Sequence, residues 1–243
     1  MSNYILLSEK KWHKKLYNDL VLAFPNHNWT LLDSKSEFNS KKLKLINPDK
    51  VFIPHWSYII PAYIYENYEC IVFHMTDLPY GRGGSPLQNL IINNKKNTKI
   101  SALRVGKGID TGDIYIKKDL NLSGSAQDIF LRSVQIIFEM ISDLISVTIL
   151  PKKQQGTPFN FKRRNPDQSD ISNLTELSQI YNHIRMLDAD GYPNAFLEFG
   201  KFRLEFYNVE NISNNILDNH TFNNIAELSK STAFKNILSG SVA

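Results

Sequence analysis

The sequence predicts an α/β chain built on a mostly parallel sheet with flanking helices, and two observations predict it. Short apolar runs at residues 4–7, 29–32, 50–55 and 70–74 alternate with longer helix-like stretches, the order expected of buried strands joined by crossover helices. At 243 residues, with 42% hydrophobic and 21% charged side chains, the chain can build one good-sized core or one large domain with a small appendage.

Taken in order, residues 4–7 form the first strand, 9–24 the first helix and 29–32 the second strand. Residues 50–55 and 70–74 are two further buried strands, with a short helical piece at 61–65 between them. A turn-rich stretch at 75–85 leads to a helix at 86–92 and a strand at 99–105. A glycine-bearing loop at 106–112 then enters residues 113–117. Ser125 and Asp128 have the spacing of a capping box, opening a long helix over 126–148 that carries Ile129, Ser133, Ile136, Ile137 and Met140 at amphipathic spacing. Residues 151–170 are polar and proline-containing and read as a connector, and 176–187 is a second amphipathic helix. Residues 195–199 and 202–207 flank Gly200-Lys201, a hairpin-type turn. There Phe202, Leu204 and Phe206 form an apolar face that must be covered, because an isolated hairpin is marginal. The expected organisation is an N-terminal domain over 1–150, a linker and helix over 151–188, and a small hairpin region over 189–243.

Composition excludes several classes. The net charge of +4 fits a solvated surface with a slight lysine excess, and would attract polyanions only if basic residues gather at a cleft. The single cysteine, Cys70, lies in an apolar run and reads as a buried structural thiol, so no intramolecular disulfide forms and a reducing compartment suits the chain. The apolar N-terminal run is too short for a signal-peptide core. The most apolar window, 134–150, is broken by Glu139 and Asp143, so a cytoplasmic protein without a membrane partner is expected. The histidines show no metal-ligand spacing, and no metal is expected.

Two segments carry chemistry. In Val72-Phe73-His74-Met75-Thr76-Asp77-Leu78-Pro79-Tyr80-Gly81-Arg82-Gly83-Gly84, a histidine closes a buried strand and a glycine-rich turn follows. Ligands of open α/β sheets bind beyond the carboxyl ends of strands, which is where His74 stands. In Gly106-Lys107-Gly108-Ile109-Asp110-Thr111-Gly112-Asp113, an aspartate sits in a tight glycine-flanked loop after the next strand. A carboxylate near an imidazole would fix its orientation. Each segment alone is equally open to a structural reading, a hydrogen-bonded imidazole or a turn aspartate. Lys10, following the first strand and opening the first helix, stands where anions bind readily, although a solvated helix lysine is an equal reading.

Together the two segments resemble the folate-dependent formyltransferase family. His74 with Leu78-Pro79, Arg82-Gly83 and Pro86 is similar to its histidine strand and loop, and residues 108–113 to its aspartate loop. His55-Trp56-Ser57-Tyr58 resembles the segment lining the folate pocket, and 161–167 the linker after the catalytic domain. Residues 185–193 with the hairpin resemble the short tail of the sugar N-formyltransferase branch. The resemblance implies a Rossmann-like catalytic domain, the cofactor N10-formyltetrahydrofolate with tetrahydrofolate as product, and His74 and Asp110 as catalytic residues. It places the cofactor against Trp56, Ser57, Tyr58, Gly106, Lys107, Gly108 and Ile109, and the substrate against Lys10, Met75, Asp77, Tyr80, Gly81, Arg82 and Tyr192, with core packing the other role open to Tyr192. The implied acceptor is the amine of a nucleotide-linked sugar, dTDP-4-amino-4,6-dideoxyglucose for surface-glycan synthesis. Its diphosphate would lie near Lys10 and Arg82, with no nucleic-acid partner and a homodimer through the C-terminal hairpin. Alternatives are a UDP-linked, peptide or tRNA-linked amine, a formyl-folate hydrolase, or a non-catalytic binding protein of the same fold. One departure stands out: the family's asparagine two residues before the histidine is Val72 here.

Overall fold

The structure, a computed structural model, describes residues 1–209. The first apolar run is β1 (Asn3–Ser8), and its alternation feeds two cores: Tyr4 and Leu6 enter one, Ile5 and Leu7 the other. After it come α1 (His13–Ala23), β2 (Asn28–Leu32), α2 (Ser40–Ile46), β3 (Lys50–His55), α3 (Ala62–Tyr65) and β4 (Cys70–His74). Next follow β5 (Tyr80–Gly83), α4 (Pro86–Ile92), β6 (Asn97–Arg104), β7 (Ile114–Asn121) and α5 (Ala126–Ser146). The chain continues through β8 (Phe159–Phe161), α6 (Leu177–Leu187) and a hairpin of β9 (Ala195–Phe199) and β10 (Phe202–Phe206).

The main sheet has six strands in the order β2-β1-β3-β4-β6-β7. Strands β2 to β4 run parallel, whereas β6 joins β4 antiparallel and pairs antiparallel with β7. The chain moves from β1 outward to β2 and returns to the far side of β1 as β3. A topological switch therefore lies between β1 and β3, where open sheets leave a crevice. Helices α1, α4, α5 and α6 bury Leu16, Leu90, Ile137 and Met186 in one core, while α2 and α3 bury Leu43 and Ile64 in the other. Cys70 is buried in this second core, and burial pushes its thiol up to about 12, leaving it inert.

Several elements differ from expectation for identifiable reasons. Helix α1 starts at His13 rather than residue 9, because the Ser8 hydroxyl accepts the Lys10 N–H at 3.2 Å and lies 2.7 Å from His13 Nδ1. That local side-chain turn competes with helix. Helix α2 is additional; the Asn39 side chain caps it by accepting the Lys42 N–H, and Asn47 ends it in the left-handed region. The turn-rich stretch contains β5, which pairs in parallel with β8 from the expected connector, so the connector is stitched to the domain. The capping box at the start of α5 forms as expected, with reciprocal Ser125 and Asp128 hydrogen bonds.

Helix α6 is held against the body by Arg185, whose guanidinium donates to the Leu122 and Gly124 carbonyls at 2.8 and 3.0 Å. The hairpin buries Ala195 and Phe196, while Phe202 and Leu204 stay exposed. The expected C-terminal region extends past residue 209, and that part lies outside the described residues. No helix among the described residues is long and apolar enough to cross a membrane.

Candidate active site

Strand β4 delivers His74 to the carboxyl edge of the sheet, buried, with Val72 one step back on the same face. His74 Nε2 lies 2.7 Å from the Gly81 carbonyl, which can only accept, so Nε2 carries a proton. Nδ1 faces Asp110 Oδ2 at 3.5 Å. Asp110 adopts a left-handed backbone (φ 52°), and its Oδ2 accepts the Gly83 N–H at 2.8 Å, which ties the aspartate loop to the glycine turn. The loop closes this tightly because residue 112 is glycine: a Cβ there would sit 1.7 Å from the Arg104 carbonyl oxygen.

A brace behind the loop fixes it further. Gln154 donates from Nε2 to the Asp110 and Gly112 carbonyls, each at 2.8 Å, and its Oε1 accepts from Arg82 Nε and Nη2 at 3.1 and 2.7 Å. Gln154 was not among the residues singled out from sequence; its partners lie more than 40 residues away, and only the folded chain joins them.

His74 and Asp110 open on a cavity of about 830 Å³, toward the upper end of the range for small-molecule sites, ~300–1,000 Å³. Trp56, Ser57, Tyr58, Gly106, Gly108 and Ile109 line it, as do Lys10, Met75 and Tyr192. The structure thus gathers most of the sequence-selected residues around one space. Five lie off it. The Lys107 carbonyl accepts from Thr111 Oγ1, and Lys107 is not among the residues lining the cavity. Asp77 is paired with Lys117, and Tyr80 stacks on Phe159 at 5.3 Å. Gly81 presents its carbonyl to His74, and Arg82, expected near the diphosphate, stands off the cavity lining and donates from Nε and Nη2 to Gln154.

The far wall is aromatic and cationic. Phe130 stacks between Trp12 and Tyr192 at 5.4 and 5.5 Å, and Lys10 Nζ sits 5.2 and 5.0 Å from the Trp12 and Tyr192 rings. The Tyr192 hydroxyl lies 3.3 Å from His55 Nε2. Burial, assisted by Lys10, lowers His55 to about 3 and keeps it neutral; burial with His55 and Lys10 nearby does the same to His13. Burial also raises Tyr192 to about 12, so its hydroxyl stays protonated. Among the described residues no cluster of three His, Cys, Asp or Glu side chains could hold a metal ion.

This geometry can be set beside known proteins. A methionyl-tRNA formyltransferase from Clostridium thermocellum is 49% identical, and the similarity covers 88% of this chain and 96% of that one with a TM-score of 0.84. The chain belongs to the formyltransferase family. The C-terminal domain model of methionyl-tRNA formyltransferase matches residues 166–221. A methionyl-tRNA formyltransferase from Clostridium botulinum is 29% identical over 178 residues, 70% of this chain and 57% of that protein, so the match spans little more than half the relative's length. A likely sugar N-formyltransferase from Mycobacterium tuberculosis shares the fold, with a TM-score of 0.71 at 15% identity. The expectations of a nucleotide-linked amino sugar as acceptor and of no nucleic-acid partner are corrected by these relatives: those at 49% and 29% identity are named for methionyl-tRNA, while the sugar enzyme is far more distant. Residues 185–193 and the hairpin, which suggested the sugar branch, fall within residues 166–221, the stretch that matches the tRNA enzyme's C-terminal domain.

Proposed function

We propose that this formyltransferase moves a formyl group from N10-formyltetrahydrofolate to a tRNA-linked amine, the α-amine of methionyl-tRNA. The observation that carries the reading is the His74–Asp110 pair on the wall of one large cavity, in a chain 49% identical to a methionyl-tRNA formyltransferase. The cavity suits a folate. Trp56 and Tyr58 meet edge to face at 5.2 Å beside the apolar Val72, Leu103 and Val105, and a Cβ at Gly106 would meet nothing within 4 Å, leaving the backbone there open to a flat ring. When bound, the folate supplies an activated formyl group.

The chain's own groups then have distinct tasks. Gly81 pins the Nε2 proton of His74, which leaves Nδ1 to exchange a proton with the reacting centre. A protonated Nδ1 also stabilises the negative charge that develops on the formyl oxygen as the amine nitrogen bonds to carbon. Asp110, anchored by the Gly83 amide, holds the imidazole in line. For the nucleic acid, the connector carries exposed Lys152, Lys153, Lys162 and Arg163, and Arg163 also lines the cavity.

The test is formylation of charged methionyl-tRNA with N10-formyltetrahydrofolate, followed by acid gel electrophoresis. Formyl-methionyl-tRNA should accumulate, with a KM that rises steeply with salt. Binding of the folate without transfer to methionyl-tRNA would refute the reading.

A further inference from the structure

We infer that the cavity contains a second subsite that binds a phosphate group of the acceptor, with Lys10 as its cation and Tyr192 and His55 as the residues that position it. The inference rests on the acceptor being nucleotide-linked, as in the function proposed above.

Lys10 follows β1 and His55 ends β3, so both stand at the crevice where the strand order reverses. Lys10 is half-buried, and among the described residues no carboxylate lies within ion-pair distance of its ammonium; Asp190 is engaged by Lys11 at 3.8 Å. Its ammonium is held in place by two aromatic rings, Trp12 and Tyr192, which the intervening Phe130 keeps stacked. Burial lowers the Lys10 pKa, with Asp190 and Glu9 partly opposing the shift, so the charge is poorly solvated and gains from an incoming anion.

Lys11 and Lys14 join Lys10 around an adjoining crevice that Glu9 and Asp33 also border. Asp110, a carboxylate beside His74, lines the same cavity, and like charge turns a phosphate away from it. The cavity is therefore polarised, with the phosphate at the Lys10 end and the amine at the His74 end. Tyr192 comes from the segment after α6, and its hydroxyl is fixed at 3.3 Å from His55 Nε2. The subsite is thus complete only when that segment is docked.

The test compares two small acceptors, the methionyl ester of adenosine and the methionyl ester of adenosine 5′-phosphate. In the wild-type protein the phosphate should lower KM at least tenfold. In Lys10→Met the ratio of the two KM values should fall to about one. Tyr192→Leu, which removes one of the two rings, should reduce the ratio to an intermediate value, and Tyr192→Phe should restore most of it. An unchanged ratio in Lys10→Met overturns the subsite. Calorimetry with inorganic pyrophosphate provides an arm independent of turnover. Wild-type protein should bind the ion at least tenfold more tightly than Lys10→Met, with thermal unfolding confirming that both are folded. If neither ester is formylated but pyrophosphate binding depends on Lys10, the subsite stands and the acceptor reading falls. Pyrophosphate binding that ignores Lys10, or is absent from the wild type, removes the subsite.

Discussion

Removing the His74 imidazole leaves the Gly81 carbonyl still hydrogen-bonded, because Thr76 Oγ1 donates to it at 3.3 Å. Neutralising Asp110 as asparagine likewise leaves an oxygen for the Gly83 amide, which lies 2.8 Å from the carboxylate. Chemistry and folding can therefore be separated at both positions. His74→Ala and Asp110→Asn should each lower kcat for formyl transfer at least 100-fold while costing about 1–2 kcal/mol of stability. Single-turnover rates and urea unfolding check both halves; rates within tenfold of wild type would remove the assignment. Val72 poses the complementary question. It lines the cavity on the His74 face and offers no hydrogen-bond donor. Val72→Asn adds an amide there, and kcat should rise about tenfold, or ~1.4 kcal/mol, below the ~3 kcal/mol of a fully built oxyanion donor. An unchanged single-turnover rate would show that another group already serves. At this scale the sequence marked His74 and Asp110 through glycine spacing, but it could not assign Arg82. An arginine after a glycine turn reads the same whether it meets a phosphate or, as here, Gln154.

The brace around Gln154 belongs to the scale of elements. The strand β5 is too short and glycine-rich to show alternation, and β8 is a three-residue strand in a polar stretch. Neither has a periodic signature, and each is stabilised by the other across more than 70 residues of chain, so local pattern could not reveal them. Their pairing brings the connector beside the aspartate loop, where Gln154 ties Arg82 to the Asp110 and Gly112 carbonyls. The long amphipathic α5 and the buried strands were legible because burial on a fixed face imposes a period; α2 was not, because only Leu43 of its seven residues is buried. Gln154→Ala should loosen the loop without touching the cavity lining. We expect kcat to fall about tenfold with the folate KM within threefold, since the alignment of Asp110 rather than cofactor contact is lost. Gln154→Glu keeps an acceptor for Arg82 but loses both donors to the loop, so it should not rescue. Full rescue by glutamate would place the brace's role in Arg82 rather than in the loop.

Across the whole molecule, the same wall that would bind the acceptor also makes the fold sensitive to acid. His13 is enclosed between β1 and α1, and His55 faces the cavity behind Trp12, Phe130 and Tyr192; both are lowered from 6.5 to about 3, chiefly by burial. Lys10 opposes the charging of each, and His55, its ring centroid 6.5 Å from that of His13, adds to the opposition at His13. Their folded-state values lie below the unfolded ones, so the stability they contribute is complete above about pH 6.5. It is lost as pH falls toward 3, because the unfolded chain then takes up protons that the folded chain refuses. Each histidine accounts for at most about 1.4 kcal/mol per pH unit in that window, so the pair removes up to roughly 4 kcal/mol by pH 5. That is a large share of a typical domain's stability, ~5–15 kcal/mol. Urea unfolding from pH 8 to pH 5 should show a flat region followed by a loss approaching two protons. His13→Gln, which keeps a polar partner for Ser8, and His55→Gln should each reduce that slope by about one proton. A slope unchanged in both variants would mean that acid attacks the fold elsewhere, and that the histidines beside Lys10 are open enough to water to charge freely.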